Sequence, residues 1–248
     1  MDIIKDLLYT NKKIFKTALD STYKNWPIIF TGLFYTIASI ILAVLLPFFW
    51  ILGGLVGIVV MSALVSNYLY LINCIIKRNK FDFRDFKDGF GAYLRKVWGV
   101  SFIGWVALLI INTFLMPGFR RGFQPMALGV IINFLVFALF NALPETIYQK
   151  YYNPWESITY AVEFVRDNWI EWFIPNIALI GILYLLTGNL LTGIFNYHLP
   201  LSMIFSPMGI ILYLIGQIWF SFMMIYRGYL FETLSTSNRR KRLFMREF

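Results

Sequence analysis

Few side chains in this 248-residue chain are of a type that does covalent or metal chemistry. One histidine, His198, sits in Asn196-Tyr197-His198-Leu199-Pro200, and one cysteine, Cys74, ends a long apolar stretch. A zinc-type centre needs three or four convergent ligands, and a histidine base needs a group to activate, so neither is assembled from these two residues. The lone cysteine excludes an internal disulfide and leaves packing or acylation as its uses. Gly53-Gly54-Leu55-Val56-Gly57 has glycines but no following lysine, so it is a place for close helix approach and not a nucleotide loop. The expectation is a protein that is not an enzyme and carries no metal or cofactor.

What remains are residues that bind. Arg120 and Arg121, between two glycines and two phenylalanines in Pro117–Pro125, form a paired guanidinium next to a helix start. Such a pair suits a lipid phosphate or another anion, or else snorkels to the interface. Asn112, Asn133, Asn141, Asn176, Asn189 and Gln217 lie inside apolar runs. They line a central cavity, or they hydrogen-bond between helices. Glu145, Arg166 and Glu171 flank such runs, either as solvated interface charges or in the pairings within reach, Glu145–Lys150 and Glu171–Arg166. Arg239, Arg240, Lys241 and Arg242 make a basic cluster near the C-terminus, fit for anionic lipid or a cytoplasmic partner.

These residues need a frame, and composition dictates which. The chain is 59% hydrophobic and 19% aromatic with only 14% charged residues, and its mean hydropathy is +0.66. Soluble domains carry about 25% charge, so this is an all-α integral membrane protein. Six runs are long enough to cross about 30 Å of hydrocarbon: 27–46, 54–76, 97–116, 126–143, 172–195 and 208–226. None contains Asp, Glu, Lys or Arg. An ion-coupled carrier usually keeps an acid at mid-depth, so this absence counts against one. No apolar leader is evident in residues 1–25, which are lysine-rich.

Of the 22 Lys and Arg, all but Arg120 and Arg121 fall in the N-terminal arm, the 77–96 and 145–171 connectors and the tail. The 13 acids share that side. The asymmetry predicts a multi-pass protein of the cell membrane with both termini cytoplasmic. The net charge of +9 then faces anionic headgroups, so lipid is the expected partner and nucleic acid is not.

The cytoplasmic segments have helical periodicity of their own: Phe15, Ala18/Leu19, Thr22 and Trp26; Phe83, Phe86, Phe90, Tyr93/Leu94 and Val97; Trp155, Ile158, Val162, Val165 and Trp169. A short helix over Ile3, Ile4, Leu7 and Leu8 precedes the first. Asn153-Pro154-Trp155-Glu156 has the form of a capping box with proline at the first helical position. Trp26, Trp98 and Trp169 recur at near-equal separations, and Lys24-Asn25-Trp26 echoes Asp167-Asn168-Trp169. The spacing reads as three hairpins, each preceded by a cytoplasmic amphipathic helix, or as six spans whose connectors are merely alike. In the first reading one membrane domain over 1–248 holds pseudo-repeats 1–76, 81–144 and 153–231, with a basic tail over 232–248.

The stretch Lys80-Phe81-Asp82-Phe83-Arg84-Asp85-Phe86-Lys87-Asp88-Gly89-Phe90, running into a Trp-rich span, resembles a broad group of poorly characterised bacterial six-helix membrane proteins. The group includes YesL-like and YciC-like proteins and the membrane domain of some glycerophosphodiester phosphodiesterases. Ala142-Leu143-Pro144-Glu145, followed by an amphipathic helix, is similar to the same group. The paired His-Glu-Asp ligands of a phosphodiesterase are missing, so the resemblance implies a bacterial membrane fold and no activity. The functional expectation is a transporter-associated or scaffold component binding a cytoplasmic or membrane protein partner and anionic lipid. The alternative is a carrier, channel or lipid-handling protein with a polar site between hairpins.

Overall fold

The computed structural model describes residues 2–115, 125–191, 193–200 and 207–237. Among them the regular elements are helical: α1 Asp2–Lys24, α2 Ile28–Leu45, α3 Gly53–Arg78, α4 Phe83–Ala92, α5 Leu94–Ile110, α6 Pro125–Leu139, α7 Leu143–Gln149, α8 Pro154–Asp167, α9 Trp169–Thr187 and α10 Pro207–Thr236. Among the described residues five helices are long and apolar enough to cross a membrane: α2, α3, the α6–α7 run, α9 and α10. A sixth arises if α4 and α5, bent by 41° at Tyr93, count as one span.

Each boundary has a local cause. Between α2 and α3 a tight 3₁₀ segment, Leu46–Leu52, turns the chain, with Pro47 near its start and Trp50 at φ 47°. Asn79 adopts the left-handed conformation that closes α3 (φ 56°), which asparagine tolerates better than most residues. Gly188 does the same for α9 at φ 67°, so that helix stops at Thr187 instead of running to Phe195. The run through 126–143 is interrupted by a turn over 140–142, and Pro144 opens α7 where its missing N–H is harmless. Pro175, by contrast, lies inside α9. The arm expected as two helices is one, α1.

Asn153 and Glu156 cap α8 reciprocally, Asn153 Oδ1 accepting from the Glu156 N–H at 2.8 Å and Glu156 Oε2 from the Asn153 N–H at 3.0 Å. Asp82 and Asp85 start α4 in the same way.

The core is lopsided. From Ser62 to Ile76 nearly every residue of α3 is buried, and so is every residue from Phe220 to Gly228 on α10. A helix enclosed on all sides marks the centre of a fold. Less apolar helices wrap these halves: α1 lies against α10, α4 against α3, α7 against both, and α8 against α5, α6, α7 and α9. At the opposite end α2, α3, α5, α6, α9 and α10 present large apolar residues outward, among them Ile41, Ile58, Trp105, Phe134, Ile177 and Ile215. An apolar surface on this scale needs a nonaqueous neighbour.

Hydrogen bonds hold the wrapped end. Asn67 of α3 accepts from Tyr35 Oη of α2 at 2.5 Å and donates to the Phe86 carbonyl of α4 at 2.5 Å. Ser66 Oγ donates to the Gly89 carbonyl and accepts from the Tyr93 N–H, both at 2.8 Å, which places the α4–α5 bend on α3. The bend therefore falls at Tyr93, before Trp98, whereas the other two breaks adjoin Trp26 and Trp169. At those two, Asn25 and Asn168 each donate to the carbonyl four residues back, Ser21 and Phe164, and Ala18 and Ala161 are fully buried.

Candidate functional site: a buried ion pair and two flanking grooves

Among the described residues, the ion pair with both members buried lies between α7 and α10. The turn at 140–142 delivers Glu145 into the first turn of α7, where a carboxylate is favoured by the helix dipole. Arg227 arrives from α10, 82 positions later in the chain. Its Nε donates to Glu145 Oε1 at 2.7 Å and its Nη2 to Oε2 at 3.1 Å, with side-chain exposures of 7% and 0%. Nη2 also donates to the Asn141 carbonyl at 2.6 Å.

Trp172 of α9 completes the group: its ring centroid lies 5.2 Å from the guanidinium carbon, and its Nε1 donates to Asn141 Oδ1 at 2.9 Å. Two charges removed from water cost several kcal/mol each, and geometry of this quality with extra hydrogen bonds is what offsets that cost. The hydroxyls of Tyr68 and Tyr148 are buried without a hydrogen-bond partner, and Tyr148 Oη abuts Gly228. A space of about 20 Å³ touches Arg227, Asn141, Asn196 and Met223, enough for roughly one water. The arrangement neutralises and orients. Among the described residues no group of three or more His, Cys, Asp or Glu could hold a metal ion.

The described members of the sequence-predicted polar set take separate partners. Asn141 joins the ion pair. Asn176 is buried on α9, its Nδ2 donating to the Trp172 carbonyl at 2.7 Å while its Oδ1 has no partner. Gln217 is buried with neither amide atom hydrogen-bonded, pressed so closely on Gly32 that a Cβ there would overlap it. Asn189 bonds back to Thr187, and Asn133 is exposed on α6. The Asn112 side chain, Arg120 and Arg121, and the tail residues Arg239, Arg240, Lys241 and Arg242 lie outside the described residues.

Nearby charges are also used structurally. Glu145 takes Arg227 and not Lys150, and Arg166 pairs with its neighbour Asp167 at 3.0 Å. Lys150 leans over the rings of Tyr160 and Phe231, and burial, then the nearby Lys77, pushes its ammonium pKa down. Lys96 Nζ donates to the carbonyls of Ile147 (3.2 Å) and Lys150 (2.8 Å), capping the end of α7. Arg78 binds Asp85 at 2.6 Å, and Lys77 binds Glu232 at 2.8 Å.

Larger spaces open on the flanks. One, of about 790 Å³, runs between α2, α3 and α5 over Leu42, Trp50, Gly57, Ser62, Ser101 and Tyr197. At its edge Ser39 meets Tyr197 Oη and His198 Nε2, each at 3.3 Å, and Tyr197 Oη donates to Met61 Sδ. Burial lowers the His198 pKa. The other, of about 620 Å³, lies at the wrapped end where α1 gives way to α2 and α3 to α4.

The chain matches no family model, no curated protein and no solved structure. Its function must therefore be argued from the geometry alone.

The Glu145–Arg227 pair escaped the sequence reading because Arg227 stands just past an apolar run and looks like an ordinary boundary charge. The available signal was Glu145 itself, an acid inside Leu-Pro-Glu-Thr-Ile-Tyr with no helical partner three or four positions away.

Proposed function

We propose that this chain is a non-enzymatic integral membrane protein of the scaffold or transporter-associated kind, binding anionic lipid and a protein partner at its cytoplasmic side. The observation that carries this reading is the distribution of space and charge. The described charged residues gather at the wrapped end, where hydrogen bonds stitch the helices together, and the space beside the buried pair has room for roughly one water. The roomier grooves lie elsewhere, one between α2, α3 and α5 and one where α1 gives way to α2 and α3 to α4. A carrier needs a substrate-sized site that alternates between two faces; a stitched end with separate surface grooves suits a body that holds neighbours.

In this reading both termini are cytoplasmic, as the excess of lysine and arginine at that end favours. Helices α1, α4 and α8 lie in the inner-leaflet interface and feed three hairpins, and the bacterial six-helix proteins resembled by Lys80–Phe90 share the plan. Exposed Tyr23, Tyr151, Trp155 and Trp169 at that end suit the headgroup layer or a partner. The matching helix ends at Asn25 and Asn168 support a repeat between the first and third units.

The test is purification in native-lipid discs followed by exchange into zwitterionic lipid. Anionic phospholipid should persist, and cross-linking from Trp155 should recover one protein in fixed ratio across preparations. Saturable solute flux in reconstituted vesicles would overturn the scaffold reading. A second reading, lipid handling, is favoured by the 790 Å³ groove, and acyl-chain exchange between vesicles tests it.

A further inference from the structure

The trough at the wrapped end has features that single out one ligand chemistry. Asn25 Nδ2 donates to the Asn79 carbonyl at 3.1 Å, tying the end of α1 to the end of α3. The chain neighbours of these residues, Lys24 and Lys80, consequently reach the same trough. Both are exposed, and neither makes an ion pair with a described residue.

Below them the walls are aromatic. Phe30 and Phe34 lie four positions apart on α2 and so share one face. Phe34 meets Phe86 edge-on at 5.2 Å, and Phe83 stacks on Phe86 at 6.3 Å, leaving Phe83 itself 72% exposed. A third cation, Lys87 Nζ, sits 4.8 Å above the Phe83 ring. One carboxylate, Asp82, also lines the space, and it is committed to capping the first turn of α4.

The lysines stand where the apolar runs of α2 and α3 stop, and Phe30 and Phe34 lie one to two turns deeper along α2. Cations at the boundary above an exposed apolar wall complement a molecule with an anionic head and a hydrocarbon tail. At about 620 Å³ the trough falls in the range of small-molecule sites.

We propose that this trough is a specific site for an anionic phospholipid of the inner leaflet, its phosphate held by Lys24 and Lys80 and an acyl chain lying on Phe30, Phe34 and Phe83. The assignment rests on the proposed cytoplasmic placement of this end.

The experiment measures binding of phosphatidylglycerol, phosphatidylcholine and inorganic phosphate to the full chain in detergent, by native mass spectrometry and thermal shift. Wild type should prefer phosphatidylglycerol and ignore free phosphate. K24Q/K80Q should weaken phosphatidylglycerol binding about thirtyfold, equivalent to about 1 kcal/mol for each lysine. K12Q/K13Q, on the exposed face of α1, should leave it unchanged. Preference that survives K24Q/K80Q but is lost in K12Q/K13Q overturns the site while anionic-lipid binding stands. Absence of preference in wild type overturns both. Saturation by phosphate alone shows a phosphate site and overturns the lipid assignment. If K24Q/K80Q does not fold, a photoreactive phenylalanine analogue at exposed Phe83 must label phosphatidylglycerol in vesicles, and failure to do so refutes the site.

Discussion

Arg227 grips Glu145 through two hydrogen bonds, 2.7 and 3.1 Å long, one to each carboxylate oxygen, between helices far apart in the sequence. Removing one member leaves the other charged and buried. Arg227→Met should cost about 3–5 kcal/mol. The paired change Glu145→Leu with Arg227→Met should cost much less than the sum of its parts, because no orphaned charge remains. Thermal or denaturant unfolding of the four forms gives the coupling directly; additive losses would mean that the pair does not act as a unit.

Gly89 lets α4 lie on α3. A Cβ there would stand 3.0 Å from Asn67 Nδ2 and 3.2 Å from the Asn67 Cα, and backbone cannot move aside as a flexible side-chain tip can. Gly89→Ala should destabilise by about 1–3 kcal/mol and raise protease sensitivity in the 79–82 connector. Gly91, two positions on, has nothing within 4 Å of its Cβ position, so Gly91→Ala should stabilise by about 0.4–1 kcal/mol. Unfolding midpoints of the two variants should therefore move in opposite directions.

Gln217 spends its amide without return, since neither polar atom finds a hydrogen bond. Gln217→Met keeps the length and removes the unsatisfied group, whose burial costs about 1–3 kcal/mol. The variant should be at least as stable as wild type and equally able to bind lipid. A loss of stability would point to a polar ligand at that position.

His198 adds a pH dependence. Its imidazole is held below the ordinary value of 6.5 because burial penalises the imidazolium, with the Leu199 carbonyl on Nδ1 opposing in part. Protonation is thus easier in the unfolded chain. The associated stability is complete above pH 6.5 and is lost as pH falls from there through the depressed folded value. Unfolding midpoints compared between pH 7.5 and 5 should drop more for wild type than for His198→Gln; equal drops would refute the assignment.

Much of the frame was legible in the residues. Apolar runs free of charge marked the long helices, and Asn153-Pro154-Trp155-Glu156 announced the start of α8, because capping is decided within one turn. Helix ends were less legible: α9 stops at Gly188 although apolar residues continue, since a left-handed cap and hydropathy are independent. Asn141 stands out in the sequence only for its depth in an apolar run, whereas its partners, Trp172 and Arg227, are connected by neither spacing nor composition.

The chain by itself determined that it is helical, that its long segments are too apolar for water, and that its charges fall outside the apolar runs, because each of these depends on local composition and period. Only the tertiary structure decided which end is closely wrapped, that Glu145 and Arg227 share one buried site, and that Lys24 and Lys80 converge over a wall of phenylalanines. Those outcomes depend on which helices touch, and contacts between residues 50 or 80 positions apart leave no periodic trace in the order of the residues.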